Sequence, residues 1–499
     1  MDEVQSTDKA VDTSALHARI AVLITEIARE GETQAASWAD RIERPGFAAS
    51  ALNLAHYIAL RHRDLRGLQR ALMPLGLSSL GRLEGRAMPT LVAVKAALAA
   101  LAGLTAETGP SADTFFAGER LLAERTHTLL GTSASSHPVA LLITCPIEAA
   151  DDPAFMRSLA ERKVEAVRIN CAHDDAAGWA RMIGHARAAD TATGHRLRIF
   201  MDLGGPKIRT GEVRLPKHAK QIGKGGLLAV VPPGGLERVS LEGKYFAVEC
   251  TLPDALGAAR VGDRLFVDDG KLGAMVERVE PWGLVARVIS APIKGVHLKP
   301  EKGLNFPDTD LHVAALTPKD LADLDFVAAH ADAIEFSFVQ SAVDVASLQD
   351  ALAKRRPGDW RTCAIVLKIE TALGVRNLPD ILVQAAGRQP TAIMIARGDL
   401  AVEIGFARTA EMQEEILWIG EAAHVPVIWA TQVLEHLVQK GTPSRGEMTD
   451  AAMAARAECV MLNKGPYLFD AIDQLGPLLG RMEEHQHKKT PQLRRLKSW

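Results

Sequence analysis

Three short segments in the second half of the chain carry residue types that can bind a metal ion and an anion together. Lys368 and Glu370 are two positions apart on a predicted strand, so a cation and a carboxylate ligand point the same way. Gly398 lets the backbone approach a ligand closely, and Asp399 beside it, with exposed amides at a helix start, suits a metal ion plus an anion. Thr431 adds a hydroxyl group. Taken singly, the first two segments also fit a salt bridge at a strand end and a helix cap.

Each of these segments follows a short apolar run, and eight such runs alternate with helical stretches after residue 138. Continuous apolarity is expected of parallel strands that are covered on both faces. Eight strand–helix units with polar residues at the strand ends predict an α/β fold, a (β/α)8 TIM barrel with its active site on that face. The predicted strands are Val139–Thr144, Val164–Asn170, Leu197–Leu203, Ala333–Val339, Cys363–Glu370, Ala392–Ala396, Val425–Thr431 and Cys459–Asn463.

The interval between the third and fourth predicted strands does not fit the barrel pattern. Residues 207–305 are rich in Gly, Pro and Val, and they contain turn signals and short runs such as Leu227–Val231, Arg264–Val267 and Leu284–Ser290. We interpret this interval as a small β-barrel-like lid domain inserted after the third strand. Helical patterning resumes at Thr317, where Thr-Pro predicts an N-cap followed by proline.

The first 136 residues predict an all-α segment, because apolar residues recur at helical spacing over 16–30, 49–72 and 89–104. Residues 131–138 have the composition of a linker. The predicted division is an N-terminal helical domain over 1–136, a barrel over 137–205 and 305–499, and an inserted lid over 206–304. No motif indicates what the helical segment does, and oligomerisation, regulation, partner binding and a cover for the barrel's bottom all stay open.

Composition excludes several classes of protein. The net charge is -3 with no long basic run, which disfavours nucleic acid as a partner. No apolar run reaches the roughly 18 residues of a membrane span, and the acidic N-terminus is unlike a signal peptide. The five cysteines are scattered with no Cys-x-x-Cys pair, which predicts reduced thiols instead of a disulfide framework or a zinc site. We therefore expect a cytoplasmic protein with no membrane partner.

In combination, the motifs of the chain resemble those of the pyruvate kinase family. The resemblance runs in the family's order from Val139 to the end of the chain and covers both the barrel and the inserted lid. The segments that carry it are VRINCAH (167–173), MDLGGPKIRTGEV (201–213), FVDDGKL (266–272), KGLNFP (302–307), FSFVQ (336–340), LKIETALGV (367–375), IMIARGDLAVEI (393–404), VPVIWATQVLEHL (425–437) and PSRGEMTDAAMAARAECVML (443–462).

The resemblance implies an enzyme that moves a phosphoryl group between phosphoenolpyruvate and ADP, giving pyruvate and ATP. It implies Mg²⁺ or Mn²⁺ as the cofactor, held by Glu370 and Asp399. The residues implied in substrate binding are Arg168, Lys368, Gly398, Asp399 and Thr431, of which Arg168, Lys368 and Thr431 are also the implied catalytic residues. The residues implied on the nucleotide side are Asn170, His173, Lys207 and Arg209. The group that protonates enolpyruvate is not indicated, and a homo-oligomer stays open.

The chain departs from the family pattern at four places. Ala172 and Leu203 replace a Ser and a Thr that help to hold a potassium ion, and Lys207 replaces a Glu. Potassium is therefore not expected to be required, with Lys207 as a substitute charge. Residues 463–467 replace the usual Ser-Gly-Glu-Thr-Ala, which puts nucleotide handling in doubt. The family's C-terminal regulatory domain has no counterpart, so fructose 1,6-bisphosphate is not expected to activate through the family's effector site.

Two other functions compete with phosphotransfer. One is a Mg²⁺-dependent barrel lyase or aldolase that acts on pyruvate or another 2-oxo acid, which also stabilises an enolate. The lid and the segment Lys207-Ile-Arg209 favour phosphotransfer over this alternative. The other is a non-catalytic regulatory protein that retains the fold, which the altered loop and the added N-terminal segment favour. Retention of the implied catalytic and metal-binding side chains argues against it.

Overall fold

The computed structural model describes residues 11–131, 137–217, 219–239, 245–309, 311 and 313–492. The acidic N-terminal stretch and the basic C-terminal tail lie largely outside the described residues, as does most of the predicted linker. The strands in chain order are β1 Ala140–Thr144, β2 Ala166–Asn170, β3 Arg198–Asp202, β4 Thr210–Arg214, β5 Leu227–Val231, β6 Tyr245–Cys250, β7 Arg264–Val267, β8 Leu272–Glu280, β9 Gly283–Ser290, β10 Leu304–Asn305, β11 Ala333–Phe336, β12 Ala364–Ile369, β13 Thr391–Ala396, β14 Val427–Ala430, β15 Cys459–Leu462, β16 Gln486–His487 and β17 Thr490–Pro491.

Eight parallel strands close into a barrel in the order β1-β15-β14-β13-β12-β11-β3-β2. The predicted (β/α)8 barrel is therefore confirmed, and each of its eight strands overlaps a predicted one. The helices that follow or connect these strands are Pro153–Glu161, Ala176–Thr193, Pro318–His330, Ala342–Arg355, Ala372–Arg376, Leu378–Ala386, Arg397–Ile404, Phe406–Ala422, Glu435–Lys440, Arg445–Ala454 and Leu468–Glu483. The helix after Thr317 begins with a capping box to Asp320, as the Thr-Pro signal predicts.

The barrel interior has an apolar layer and, above it, a charged one. Alternate strand residues form the apolar layer, and they include Ala166, Phe200, Ala333 and Val366. Residues two positions further along each strand face the same way and lie nearer the carboxyl ends. These residues are Arg168, Asp202, Glu335 and Lys368. The alternation of the strands thus delivers four charged side chains into one layer of the barrel mouth.

The inserted sheet, which we define as β4 to β10, contains seven strands in the order β10-β7-β8-β9-β5-β6-β4. An isolated bridge between Arg209 and Gly303 joins the ends of the two edge strands, so the sheet nearly closes on itself. It has its own apolar core and one helix, Pro253–Ala258. Because the chain leaves the barrel after β3 and returns after β10, two connections link the sheet to the rim of the barrel mouth.

The N-terminal segment consists of the helices Thr13–Trp38, Pro45–Arg61, Arg66–Leu72, Ala87–Leu101, Ala112–Phe115 and Ala117–Leu130. The run predicted over 49–72 is two helices, because the side chain of Asp64 accepts a hydrogen bond from the N–H of Arg66 and turns the chain between them. Short 3₁₀ helices cover Ala39–Arg41, Met73–Leu75, Glu84–Arg86, Ile147–Ala150, Leu236–Arg238 and Trp360–Thr362. No helix within the described ranges is long and apolar enough to cross a membrane.

These N-terminal helices share one continuous apolar core with the outer layer of the barrel. Their polar contacts reach the loop that precedes β13, where Arg44 donates to the carbonyl of Gln389, and the helix end and loop that precede β14. Asn53 donates to the carbonyl of Ala422 at 2.8 Å, and Arg125 donates to the carbonyl of His424 at 2.9 Å. Because these loops lie at the amino ends of the strands, the segment covers the bottom of the barrel, opposite the charged layer.

Candidate active site

Lys368 occupies the centre of the charged layer at the barrel mouth. Its Nζ lies 2.9 and 3.1 Å from the two carboxylate oxygens of Asp202, 2.6 Å from Ser337 Oγ and 3.4 Å from Glu370 Oε1. The side chain of Lys368 is almost completely buried. A buried ammonium is stable only when it is paired and hydrogen-bonded, and here two carboxylates and a hydroxyl meet that need.

Arg168 lies beside this ammonium and shares its carboxylate partner. The guanidinium donates from Nη2 to Asp202, from Nε to Glu335 Oε2 at 2.9 Å, and from Nη1 to Thr144 Oγ1 at 3.2 Å. A guanidinium has five N–H groups, so these three contacts fix its plane and leave two N–H groups for another acceptor. The cluster therefore holds two cations around one central carboxylate.

The electrostatics keep both cations charged. Burial by itself lowers the pKa of Lys368, but the charges of Asp202 and Glu370 outweigh it and raise that pKa above its ordinary value. The same balance raises the pKa of Arg168, where the charges of Asp202 and Glu335 outweigh burial. Burial raises the pKa of Asp202, and the two cations reverse this and lower it. Fixed positive charge of this kind is what a site for phosphoryl transfer requires.

Glu370 and Asp399 offer the two carboxylates that a divalent ion would use. Glu370 is buried at the end of β12, and its Oε2 accepts a hydrogen bond of 2.6 Å from the N–H of Phe338. Burial raises the pKa of Glu370 against the opposing charge of Lys368, and the negative charge of Asp399 adds to the increase. No group of three or more His, Cys, Asp or Glu side chains suited to a metal ion exists within the described part of the chain. Two carboxylates fit Mg²⁺, which keeps water and substrate oxygens in its remaining positions.

Lys207, in the connection that leads into the inserted sheet, reaches across to the barrel. Its Nζ lies 2.8 and 3.0 Å from the two carboxylate oxygens of Asp399. The sequence-based hypothesis made Lys207 a nucleotide-side residue and a substitute for potassium. In the structure its ammonium contacts one of the two carboxylates predicted to hold the divalent ion.

The last strand of the inserted sheet, β10, also contacts the barrel rim. Asn305 Nδ2 donates to Glu403 Oε1 at 3.2 Å, and a Cβ placed on Gly270 would lie 3.7 Å from a methyl group of Val402. Burial raises the pKa of Glu403 to about 7, and the nearby charge of Asp399 adds to the effect. The connection that carries Lys207, strand β10 and one loop of the inserted sheet thus lie against the helix Arg397–Ile404 and the mouth of the barrel.

Thr431 lies in a strained turn directly after β14. Its φ is +61°, in the left-handed region that β-branched residues rarely adopt. The Oγ1 of Thr431 accepts a hydrogen bond of 2.8 Å from the N–H of Gly398, and Arg397 donates to the carbonyl of Thr431 at 2.6 Å. These contacts bring Gly398, Asp399 and Thr431 together, as the sequence predicts. Backbone strain of the kind seen at Thr431 is concentrated at functional sites.

Of the four residues predicted on the nucleotide side, Asn170, His173 and Arg209 form one group, and Lys207, which contacts Asp399, is separate from them. Asn170 ends β2 and His173 lies in the loop that follows it, while Arg209 lies at the start of the inserted sheet, where it donates to the carbonyl of Glu301 at 3.1 Å. Partial burial and the charges of Lys464 and Arg209 lower the pKa of His173. Lys464, in the altered loop 463–467 after β15, therefore places a positive charge near His173, whereas the ammonium of Lys207 contacts Asp399.

The residues that replace the potassium ligands lie together. A Cβ placed on Gly204 would be 3.6 Å from the Cβ of Ala172, and Leu203 is buried beside it. Neither Ala172 nor Leu203 has a side-chain oxygen. The Oδ1 of Asn170 accepts from the N–H of Ala172 at 2.9 Å, and both oxygens of Asp202 accept from the cations of the cluster.

Sequence reasoning missed several members of the cluster, among them Glu335 and Ser337. Both lie on or just after β11, two positions apart, and face the same way as Lys368 and Glu370 do on β12. Burial raises the pKa of Glu335 to about 7. The signal was present, because Glu335 is the one charged residue in the predicted strand Ala333–Val339.

Comparison with known proteins agrees with this architecture. The family model described as "Pyruvate kinase, barrel domain" matches residues 141–468, which is well over half of the chain. The chain belongs to the pyruvate kinase family. It is 31% identical to the pyruvate kinase PKLR of Rattus norvegicus over 398 residues, which cover 75% of this chain and 66% of the relative. It is 31% identical to a pyruvate kinase of Agrobacterium vitis over 350 residues, which cover 68% of each chain.

A pyruvate kinase of Mycobacterium intracellulare is 28% identical over 360 residues, which cover 70% of this chain and 71% of the relative. The matched part of this pyruvate kinase family member thus spans about two thirds of the length of these relatives. The predicted class, an enzyme of the phosphotransferase type, agrees with the printed name of each relative. None of the names favours a lyase or an aldolase.

Proposed function

We propose that this protein transfers a phosphoryl group between phosphoenolpyruvate and ADP, giving pyruvate and ATP. The observation that carries the proposal is the position of the Lys368 ammonium between Asp202 and Glu370, with the guanidinium of Arg168 bound to the same Asp202. Two fixed cations and a metal-binding carboxylate in one buried layer suit a reaction that moves negative charge between oxygens.

Arg168 binds the phosphoryl group of phosphoenolpyruvate. Its two remaining N–H groups are on its terminal nitrogens, and a guanidinium fork matches phosphoryl oxygens. Lys368 lies next to the transferring group and stabilises the negative charge on the enolate oxygen. The pairing with Asp202 holds the ammonium in place, so little reorganisation is needed during the reaction.

Glu370 and Asp399 hold a divalent cation, Mg²⁺ or Mn²⁺. When bound, the ion neutralises negative charge on the phosphoryl and carboxylate oxygens of the substrates. The amides of Gly398 and Asp399 and the hydroxyl of Thr431 orient the substrate carboxylate. The mutual hydrogen bond of Gly398 and Thr431 is exchanged for contacts to that carboxylate when the substrate binds.

ADP binds between the loop after β2 and the inserted sheet, near Asn170, His173 and Arg209. The positive charges of Arg209 and Lys464 both act on His173, and a cluster of cations suits a polyphosphate. The inserted sheet closes over the barrel mouth and excludes water, which prevents hydrolysis of the phosphoryl donor. Lys207 and Asn305 are the contacts that hold it to the barrel.

We also propose a three-domain division, with a helical domain over 1–136, an inserted domain over 206–304 and a barrel formed by the two remaining segments. We further propose a cytoplasmic location, no nucleic-acid or membrane partner, and no requirement for potassium.

The test is a pyruvate-release assay with phosphoenolpyruvate, ADP and Mg²⁺. We expect pyruvate to form in proportion to ATP and to stop when ADP is omitted. A lyase or aldolase would act on pyruvate or another 2-oxo acid without ADP, and a non-catalytic protein would release no pyruvate under any of these conditions.

A further inference from the structure

Glu335 is a carboxylate in the interior of the barrel with no exposure to solvent. Its relative exposure is 0%, and it lies on β11 opposite Asp202 of β3 and Val366 of β12. Burial of an ionised carboxylate is costly unless partners satisfy both of its oxygens. Such a residue in an otherwise apolar strand therefore needs a reason beyond packing.

The two oxygens of Glu335 have different surroundings. Oε2 accepts the Nε–H of Arg168 at 2.9 Å. Oε1 accepts no hydrogen bond from any residue that the structure describes. Within the described part of the chain, the side chain of Glu335 therefore hydrogen-bonds one group, the guanidinium that binds the phosphoryl group in the proposed function.

Among the side chains in the described ranges, Glu335 is the one that contacts the Nε of Arg168. The Nη1 of Arg168 contacts Thr144, the Nη2 contacts Asp202, and the Nε contacts Glu335. A planar guanidinium can still pivot about two contacts at one edge, whereas a third contact at Nε fixes its direction. The N–H groups that stay unused are then one on Nη1 and one on Nη2, which is the fork that matches two oxygens of a phosphoryl group.

We propose that Glu335 is a positioning residue, which orients Arg168 so that its terminal nitrogens bind the phosphoryl group of the substrate. The inference deepens the proposed function and rests on it for the identity of the substrate. Glu335 touches neither substrate nor metal ion, and it acts through Arg168 alone.

The test uses three variants of the full chain and one matched control. Glu335→Asp keeps the negative charge, but its side chain is one carbon shorter and ends farther from Arg168. Glu335→Gln keeps a hydrogen-bond acceptor at the same length without the charge. Glu335→Ala removes both the charge and the acceptor. The control is Glu165→Gln, because Glu165 is equally buried and bonds the N–H of Leu141 near the amino end of β2, away from the mouth. Thermal unfolding of each variant establishes that it is folded.

The first measurement is the dissociation constant of phosphoglycolate, a small phosphorylated carboxylate, by calorimetry. A lost hydrogen bond to a charged group lowers affinity by about 10- to 100-fold. We expect this weakening in Glu335→Asp and Glu335→Ala, with Glu335→Gln much closer to the wild type and the control unchanged. The second measurement is steady-state kinetics, where KM for phosphoenolpyruvate should rise by a similar factor and KM for ADP should not.

The outcomes separate the inference from the proposed function. If the wild type binds phosphoglycolate, the Asp and Ala variants bind it more weakly, and the wild type itself releases no pyruvate, then Glu335 positions Arg168 and the proposed function is wrong. If the wild type turns over phosphoenolpyruvate and folded Asp and Ala variants bind phosphoglycolate as tightly as it does, the positioning inference is overturned. It is also overturned if the wild type does not bind phosphoglycolate.

Discussion

The ammonium of Lys207 and the carboxylate of Asp399 form an ion pair between the barrel and the connection that leads into the inserted sheet. The Nζ lies within 3.0 Å of both carboxylate oxygens, although the two residues are 192 positions apart in the sequence. Both side chains are largely buried. The connection that carries the inserted sheet is thus attached to the same carboxylate that the proposed function assigns to a divalent ion.

Potassium should not change the rate of the reaction. The ammonium of Lys207 and the two cations around Asp202 supply positive charge at the mouth, and Ala172 and Leu203 provide no side-chain oxygen. Activity in buffer free of sodium and potassium should equal activity in potassium at the same ionic strength. Lys207→Glu should abolish activity, because it places a third carboxylate beside Asp399. A strong requirement for potassium in the unmodified protein would refute this account.

Glu370→Gln should remove the divalent ion. The buried carboxylate loses its charge and becomes a weak metal ligand, while the acceptor for the Phe338 N–H is retained. The affinity for Mn²⁺ should weaken by about 100-fold or more. It is measured by electron paramagnetic resonance, because the signal of the free ion is lost when Mn²⁺ binds. Turnover should fall by several orders of magnitude with little change in thermal stability. Unchanged Mn²⁺ affinity in this variant would remove Glu370 from the metal site.

Lys368→Met should impair the phosphoryl step far more than the binding of phosphoenolpyruvate. The ammonium is needed most where charge develops, and removal of one such group costs about 10²- to 10³-fold in kcat. Asp202 also loses one of its two cationic partners, so thermal stability is measured alongside. If affinity falls while kcat is preserved, Lys368 is a binding residue only.

The barrel and most of its site residues are predictable from the sequence because they follow from local periodicity. Lys368 and Glu370 are two apart on one strand, and Gly398 and Asp399 follow the next strand directly, so their placement needs no knowledge of distant contacts. The fold class follows from the same alternation of apolar runs and helices.

The contacts of Glu335 and Lys207 could not be predicted in this way. Glu335 bonds a guanidinium 167 residues earlier in the chain, and that pairing depends on the register and closure of the whole barrel. The pair of Lys207 and Asp399 depends on the position of the inserted sheet over the mouth. In each case one end of the contact is visible in the sequence, but its partner is fixed only by tertiary structure.

His424 should make the attachment of the N-terminal helices sensitive to acid. Its Nε2–H donates to the carbonyl of Gly85 at 2.9 Å, and its Nδ1 lies 2.9 Å from Ser50 Oγ. Burial lowers the pKa of His424 to about 4. The folded protein therefore binds fewer protons than the unfolded chain between pH 6.5 and 4. The stabilisation is complete above about pH 6.5 and is lost as the pH falls toward 4.

The titration of His424 should lower the free energy of unfolding by about 2 kcal/mol between pH 7 and pH 5. Urea denaturation at the two pH values measures it. His424→Gln should remove that part of the pH dependence, whereas a control substitution, His62→Gln at an exposed position, should keep it. An equal pH dependence in the His424 variant and the wild type would contradict the assignment.

The most direct test of the central claim is phosphorus-31 NMR of the wild-type protein with phosphoenolpyruvate, ADP and Mg²⁺. We expect the phosphoenolpyruvate resonance to decrease while the γ-phosphate resonance of ATP grows in equal amount, and we expect Glu370→Gln to show neither change on the same time scale. Growth of inorganic phosphate without ATP, or unchanged spectra from a folded wild-type protein, would contradict phosphoryl transfer at this site.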